Sequence, residues 1–124
     1  MAVNVEIWHN PRCSKSRQTL ALLEQNKISA EVVLYLQSPP SLARLEHVQN
    51  LLNQPVLSMV RHKDPLFKTL GLSKNSPDDA LFAALVNHPA LIERPVVITD
   101  TAAEIERPPE AILSLFTDLS SHRA

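Results

Sequence analysis

The chain has 124 residues, of which 44% are hydrophobic and 20% charged, and its formal net charge at pH 7 is -1. The length and composition fit one domain whose core is stable without a disulfide or a bound metal. The net charge excludes a basic surface over the whole molecule for binding nucleic acid or membranes. The apolar runs are too short to span a bilayer. One cysteine cannot form an internal disulfide, and the N-terminus resembles no signal or transit sequence, so we expect a cytoplasmic protein with a reduced thiol. We also expect a monomer, since the sequence shows no evident exposed apolar face.

The first part of the chain has the pattern of a strand, a helix and a second strand. Residues 3–8 alternate apolar and polar positions, residues 16–26 carry leucines at helical spacing, and residues 31–36 are nearly continuous in apolar content. This order predicts a βαβ unit with parallel strands. Cys13 then lies at the carboxyl end of the first strand, where ligands of open α/β sheets usually bind.

The middle of the chain has the pattern of several short helices separated by prolines. Pro39 and Pro40 end the βαβ unit, and Ser41 has the position of an N-cap for a helix that reaches Leu52. Further short helices are predicted around Val56–Arg61, after Asp64-Pro65 and after Ser76-Pro77. We interpret the region at about 41–90 as a helical insertion.

The last part of the chain predicts two strands and a helix. Residues 95–99 form the most hydrophobic strand, Asp100-Thr101 is a turn signal, and residues 103–107 would return antiparallel. A terminal helix begins near Pro108. The order β-α-β, helical insertion, β-β-α predicts an α/β protein with a thioredoxin-like fold and a mixed four-stranded sheet. We expect it to form a single domain over residues 1–124.

Cys13 is the residue most suited to chemistry. A lone cysteine is often a small buried hydrophobe, but this one lies among four cationic or potentially cationic residues that do not suit an apolar core: His9, Arg12, Lys15 and Arg17. His9 can act there as a further cation or as a hydrogen-bond donor. A zinc site is disfavoured because one cysteine and scattered histidines lack ligand spacing. A cysteine at a strand-to-helix junction faces free backbone N–H groups, which together with positive charge lower its pKa from roughly 8.5. We therefore favour a catalytic thiolate.

Several separate motifs give the chain a resemblance to a known family. The chain resembles the glutaredoxin-coupled arsenate reductases of bacteria, which have a thioredoxin fold. The resemblance covers nearly the whole chain, in order. It rests on these residues: His9-Asn10-Pro-x-Cys13-x-x-Ser16-Arg17, Leu34-Tyr35-Leu36 with the Pro-Pro pair after it, Arg61, Arg94-Pro95-Val96-Val97 and Arg107-Pro108.

The resemblance implies the roles of the site residues. Cys13 would attack arsenate, and three planar guanidinium groups, suited to bidentate contact with an oxyanion, would bind it. These matched arginines are Arg61, Arg94 and Arg107. The supporting residues are His9, which would support the thiolate, Ser16, which can hydrogen-bond the sulfur, Arg17, and Pro95, which is cis in the family. Glutathione would be the co-substrate and a glutaredoxin the partner, with no bound cofactor and no metal.

Two other functions remain open. The loop carries Arg12, Ser14 and Lys15 where the better-known arsenate reductases have smaller residues including a glycine, which favours a glutathione-linked thiol oxidoreductase with another substrate. Relatives of the same fold also act as redox-responsive regulators that bind RNA polymerase. Those proteins use Cys-x-x-Cys as a switch, whereas Ser16 occupies the fourth position here, so an internal disulfide switch is excluded.

Overall fold

The computed structural model describes residues 4–105. The predicted terminal helix and Arg107 lie outside these residues. The elements in chain order are β1 (Glu6–Trp8), α1 (Ser14–Gln25), β2 (Glu31–Val33), α2 (Leu42–Leu52), a 3₁₀ turn (Val56–Met59), α3 (Pro65–Thr69), α4 (Asp78–Asn87), a second 3₁₀ turn (Pro89–Leu91), β3 (Val96–Ile98) and β4 (Ala103–Ile105).

The four strands form one mixed sheet in the order β2-β1-β3-β4. β1 and β2 are parallel, whereas β1 with β3 and β3 with β4 are antiparallel. In the register of β1 with β3, Trp8 lies opposite Val96. The α/β class, the thioredoxin-like layout and the mixed four-stranded sheet expected from the sequence are confirmed.

The described chain comprises two compact units, which we call the sheet unit (residues 4–34 and 94–105) and the helical unit (Tyr35–Glu93). The core of the sheet unit lies between α1 and the sheet, where Leu23 packs with Val5, Ile7 and Val97. All four side chains are buried. This packing fixes α1, and with it the loop that connects β1 to α1. The expectation of a single domain stays a prediction.

The helical unit contains α2, α3 and α4, as the insertion at about 41–90 predicted. The Ser41 hydroxyl accepts the N–H of Arg44 at 3.1 Å, which confirms Ser41 as the N-cap of α2. Asp64 likewise caps α3 by accepting the N–H of Leu66 at 2.9 Å, with Pro65 in the first turn. α4 differs, because Pro77 rather than Ser76 occupies the N-cap position.

Four predicted elements are shorter in the structure, and one of them is the first strand, which covers only Glu6–Trp8. The second strand ends at Val33, and residues 35–37 form a turn in which the Tyr35 side chain is fully buried. A continuous apolar run predicts burial but does not distinguish a strand from a buried turn. The helix expected over Val56–Arg61 is only a 3₁₀ turn, and the third strand begins at Val96. No helix within residues 4–105 has the length and apolarity needed to cross a membrane.

Candidate active site

Cys13 is the N-cap residue of α1. It has an extended backbone (φ -94°, ψ 122°), and no side-chain hydrogen bond caps the helix at this end. Its carbonyl accepts the N–H of Arg17, and its own N–H donates to the Asn10 carbonyl, both at 3.0 Å. The loop therefore closes in a turn just before α1. This turn leaves the cysteine sulfur beside the free N–H groups of the first helical turn.

The environment of the sulfur favours the thiolate. Burial raises the pKa of Cys13, but three neighbouring groups lower it: the backbone N–H of Ser16, the side chain of Arg94 and the backbone N–H of Lys15. Arg94 acts both through a hydrogen bond and through its charge. The lowering contributions prevail, and the pKa of Cys13 lies below its ordinary value. The thiol is partly accessible and has no disulfide partner. A thiolate that is both stabilised and accessible is the nucleophilic form of cysteine.

Strand register brings Arg94 to Cys13. Because β1 and β3 are antiparallel and Trp8 is opposite Val96, the residues before Val96 lie at the same end of the sheet as the loop after Trp8. The Arg94–Pro95 peptide bond at this end is cis, and Pro95 is buried. Nε of Arg94 is buried and has no hydrogen-bond partner within residues 4–105.

His9 contacts Ser16 rather than acting as a cation beside the sulfur. Its Nδ1 lies 2.7 Å from the Ser16 hydroxyl, and the N–H of Asn10 donates to the same oxygen at 3.0 Å. Burial and the charge of Arg17 hold the pKa of His9 below its ordinary value. The sequence left open whether His9 is a cation or a hydrogen-bond donor, and burial next to an arginine favours the neutral imidazole.

The loop cations lie on the outside of the site. Arg12, Lys15 and Arg17 are exposed, and the Arg17 guanidinium donates to the Pro11 carbonyl at 2.8 Å. Lys15 contributes to the thiolate through its backbone N–H rather than through its ammonium group. The positive side chain that stabilises the sulfur is that of Arg94, far away in the sequence. The sequence placed the positive charge of the site in this loop, whereas the cationic side chain beside the sulfur is that of Arg94, which precedes β3.

Arg61 belongs to the helical unit and is half-buried there. Its Nη1 lies 3.4 Å from Asp64 Oδ2 and its Nε 4.0 Å from Glu93 Oε1. Asp64 thus holds Arg61 with one carboxylate oxygen and caps α3 with the other. Sequence reasoning missed both acidic partners, because residues 61–64 are not helical and the i,i+3 spacing rule for ion pairs applies to helices.

Two other features bear on what the described residues can bind. A groove of about 530 Å³ between α2 and α4 has an apolar floor that includes Phe82, and Glu46, Asp78 and Asp79 lie along it. These carboxylates would repel an oxyanion, and none of the candidate site residues lines the groove. Within residues 4–105, no group of three or more His, Cys, Asp or Glu side chains is placed to hold a metal ion.

The comparisons with known proteins agree on one family. A model of the ArsC family matches residues 8–115. An arsenate reductase of Neisseria meningitidis serogroup A is 49% identical over 110 residues, which cover 87% of this chain and 94% of that protein. An arsenate reductase of Haemophilus influenzae is 46% identical over 115 residues, covering 91% of this chain and 99% of that one.

A solved structure extends the likeness to the fold. The structure of an arsenate reductase from Vibrio cholerae has a TM-score of 0.87 and 46% sequence identity, and the match covers 92% of this chain and 98% of that one.

Proposed function

Because the chain belongs to the ArsC family, we propose that it is an arsenate reductase whose nucleophile is the Cys13 thiolate. The observation that carries this proposal is the set of groups around one sulfur: the backbone N–H of Ser16, the guanidinium of Arg94 and the backbone N–H of Lys15 all lower the pKa of Cys13 against the effect of burial. Relatives that carry the name arsenate reductase support the choice of substrate.

Arg94 is proposed to bind the oxyanion as well as the thiolate. Its buried Nε–H has no acceptor among the described residues, and a buried donor without an acceptor costs free energy. An arsenate oxygen would provide that acceptor. Arg61 and Arg107 stay proposed oxyanion ligands on the strength of the family resemblance, and Arg61 would have to exchange its contacts with Asp64 and Glu93 for the substrate.

The proposed reaction begins when the Cys13 thiolate displaces a hydroxyl group of arsenate, which leaves as water after protonation, and a sulfur–arsenic bond forms. The guanidinium groups stabilise the charge on the remaining oxygens. A glutathione thiol displaces a second oxygen. The two-electron reduction of As(V) to arsenite is balanced by the oxidation of Cys13 and glutathione to a mixed disulfide, and water replaces sulfur on the released arsenic. A glutaredoxin thiolate then attacks the glutathione sulfur, which frees the Cys13 thiolate and leaves the glutathione on the glutaredoxin.

The external thiols are needed because the sequence has one cysteine. A chain without a second thiol cannot resolve a disulfide at Cys13 by itself. Glutathione is abundant in a reducing cytoplasm, and we place the reaction there. The exposed side chains of Arg12 and Lys15 would attract the carboxylates of glutathione to the mouth of the site.

The test is an arsenate reduction assay with glutathione and glutaredoxin, run on the wild-type protein and on Cys13→Ser. We expect the wild type to release arsenite and the variant to lose this activity, because a serine hydroxyl is not ionised at neutral pH. Activity of Cys13→Ser near that of the wild type would remove Cys13 from the mechanism. Omission of glutathione should stop turnover in the wild type, and turnover without it would disprove the proposed thiol donor.

A second candidate function keeps the thiol chemistry and changes the substrate. The cationic side chains at the loop, Arg12 and Lys15, favour a glutathionylated disulfide as well as an inorganic oxyanion. The same preparation should therefore be assayed with arsenate and with a glutathionylated peptide. A much higher kcat/KM with the peptide would identify the protein as a glutathione-linked oxidoreductase.

A further inference from the structure

The Ser16 hydroxyl lies between two parts of the cysteine loop. It accepts the N–H of Asn10 at 3.0 Å and lies 2.7 Å from Nδ1 of His9. Ser16 is fully buried in the first turn of α1, and its backbone N–H is one of the groups that lower the pKa of Cys13. The hydroxyl therefore connects the residues that precede the cysteine to the helical turn that stabilises its sulfur.

The protons of this cluster can be assigned by counting donors and acceptors. A serine hydroxyl has one proton to donate and two lone pairs to accept, and the Asn10 N–H occupies one lone pair. If Nδ1 of His9 carried a proton, Ser16 would accept twice and its own buried proton would need another acceptor. His9 Nδ1 and the Asn10 N–H are the contacts of this hydroxyl within the described chain. The satisfied arrangement has Ser16 donating to an unprotonated Nδ1.

We propose that Ser16 is a positioning residue: its hydroxyl donates to the unprotonated Nδ1 of His9, accepts from Asn10, and so holds the loop against the helical turn that faces Cys13. The hydroxyl proton is used by His9 and is not available to the sulfur. This assignment differs from the role that the family resemblance implies, in which Ser16 hydrogen-bonds the sulfur directly. The lowered pKa of His9 agrees with a neutral imidazole.

The geometry explains how Ser16 acts on Cys13 at a distance. The Asn10 carbonyl accepts the Cys13 N–H at 3.0 Å, while the Asn10 side-chain oxygen accepts the N–H of Arg12, also at 3.0 Å. The backbone around Asn10 is thus tied to Ser16 on one side and to Cys13 on the other. Loss of the Ser16 hydroxyl would release this turn and weaken the alignment of the sulfur with the backbone N–H groups.

The first measurement is the protonation state of the His9 ring, read from its ¹⁵N chemical shifts at neutral pH. We expect Nδ1 to show the shift of an unprotonated nitrogen that accepts a hydrogen bond, with the ring proton on Nε2. In Ser16→Ala, the Nδ1 signal should lose the effect of the hydrogen bond. A protonated Nδ1 in the wild-type protein would overturn the proposal.

The second measurement is the ionisation of Cys13, followed by thiolate absorbance and by the rate of alkylation at pH 7. We expect Ser16→Ala to lower the alkylation rate by about tenfold, as one hydrogen bond is worth roughly that factor. His9→Asn keeps an acceptor near the position of Nδ1 and should stay within about twofold of the wild type, whereas His9→Ala should resemble Ser16→Ala. A Ser16→Ala protein that titrates like the wild type would disprove the positioning role.

The chain offers a matched control on the same helix. Thr19 is also fully buried in α1, and its hydroxyl has no hydrogen-bond partner within residues 4–105. Thr19→Val should therefore leave the Cys13 titration and the His9 shifts unchanged. The positioning role of Ser16 rests on the proposed function only in its effect on arsenate reduction. The His9 shifts and the Cys13 titration are both measured without arsenate. Arsenate reduction by Cys13→Ser would disprove the proposed function, whereas the His9 shifts and the Cys13 titration would still test the role of Ser16.

Discussion

Main-chain and side-chain groups both stabilise the Cys13 thiolate, but only the side-chain group can be removed by substitution. The N–H groups of Ser16 and Lys15 belong to the backbone of α1, whereas the guanidinium of Arg94 comes from the segment just before β3 and can be removed by substitution. Arg94 acts through both a hydrogen bond and its charge. Removing this one side chain should therefore separate the contribution of the helix from the contribution of the arginine.

We expect Arg94→Met to raise the pKa of Cys13, because the cation that favours the thiolate is lost while most of the side-chain volume remains. At pH 7 the fraction of thiolate falls, and the rate of Cys13 alkylation should decrease by about tenfold for each unit of pKa. The pH profile should shift towards higher pH and reach the same plateau. Stopped-flow alkylation between pH 5 and 10 measures both quantities.

The control for this prediction is Arg12→Met, which removes an exposed cation of the loop. Its effect on the alkylation profile should be small, because charge at an exposed position is screened by water and salt. If Arg12→Met shifted the profile as far as Arg94→Met, the loop cations rather than Arg94 would control the thiolate.

At the residue scale, the sequence predicted features that depend on neighbouring residues, but not contacts between residues far apart in the chain. The position of Cys13 at a strand-to-helix junction follows from hydrophobic patterns on either side of it. The approach of Arg94 depends on the antiparallel register of β1 and β3, which no spacing along the chain reveals. The lowered pKa of His9 depends on its burial, which the charge pattern of the loop does not reveal.

Two helices end in the same motif with different residues. After α1, Lys27 has a φ of 59° and the N–H groups of Lys27 and Ile28 donate to Glu24 and Leu23. After α3, Gly71 has a φ of 76°, with the equivalent hydrogen bonds from Gly71 to Lys68 and from Leu72 to Phe67. Both are Schellman motifs, whose left-handed residue is usually glycine. Lysine accepts the same conformation at a cost in free energy.

This pair predicts opposite effects of reciprocal substitutions. Gly71→Ala should destabilise the protein by about 1 kcal/mol, because alanine is strained at a positive φ. Apart from Gly71 and its two chain neighbours, no atom of residues 4–105 lies within 4 Å of the position that the alanine Cβ would occupy, so the cost is that of the backbone alone. Lys27→Gly should increase the free energy of unfolding by up to about 1 kcal/mol. Urea denaturation of the two variants and the wild type measures both changes, and effects of the same sign would contradict the interpretation.

At the element scale, capping residues were better guides than apolar runs. Ser41 and Asp64 each predicted the start of a helix, because an N-cap is a local hydrogen bond that the sequence specifies directly. The apolar residues at 34–36 predicted that the second strand continues to residue 36, and those at 56–61 predicted a helix. The structure has a turn at 35–37 and only a 3₁₀ turn at Val56–Met59. Both runs include buried side chains, such as Tyr35 and Met59, and burial is compatible with a turn as well as with a regular element.

At the scale of the whole molecule, each unit has buried apolar side chains of its own. In the sheet unit, fully buried Leu23 joins α1 to β1 and β3 through Ile7 and Val97. In the helical unit, Leu45 and Leu85 are fully buried. The order of elements was predictable because hydrophobic periodicity is read over many residues. The division into two compact units was not, since it depends on which distant segments make contact.

We expect Leu23→Ala to destabilise the fold by about 2–5 kcal/mol, the usual cost of a cavity at a buried leucine. Since Leu23 lies on α1, the variant should also lose thiolate stabilisation as the first turn of the helix moves relative to the sheet. Leu36→Ala is the control, because this leucine is 46% exposed and should change the free energy of unfolding by less than about 0.5 kcal/mol. Thermal denaturation followed by circular dichroism compares the two, and equal losses would show that α1 is not held by this core.

The use of main-chain N–H groups at Cys13 also has an evolutionary consequence. Every residue except proline supplies the same N–H, so positions 14 and 15 can change side chain without removing the donors that face the sulfur. Mutational drift at these two positions is thereby uncoupled from nucleophile activation, and their side chains can adapt to new substrates while the donors to the sulfur persist.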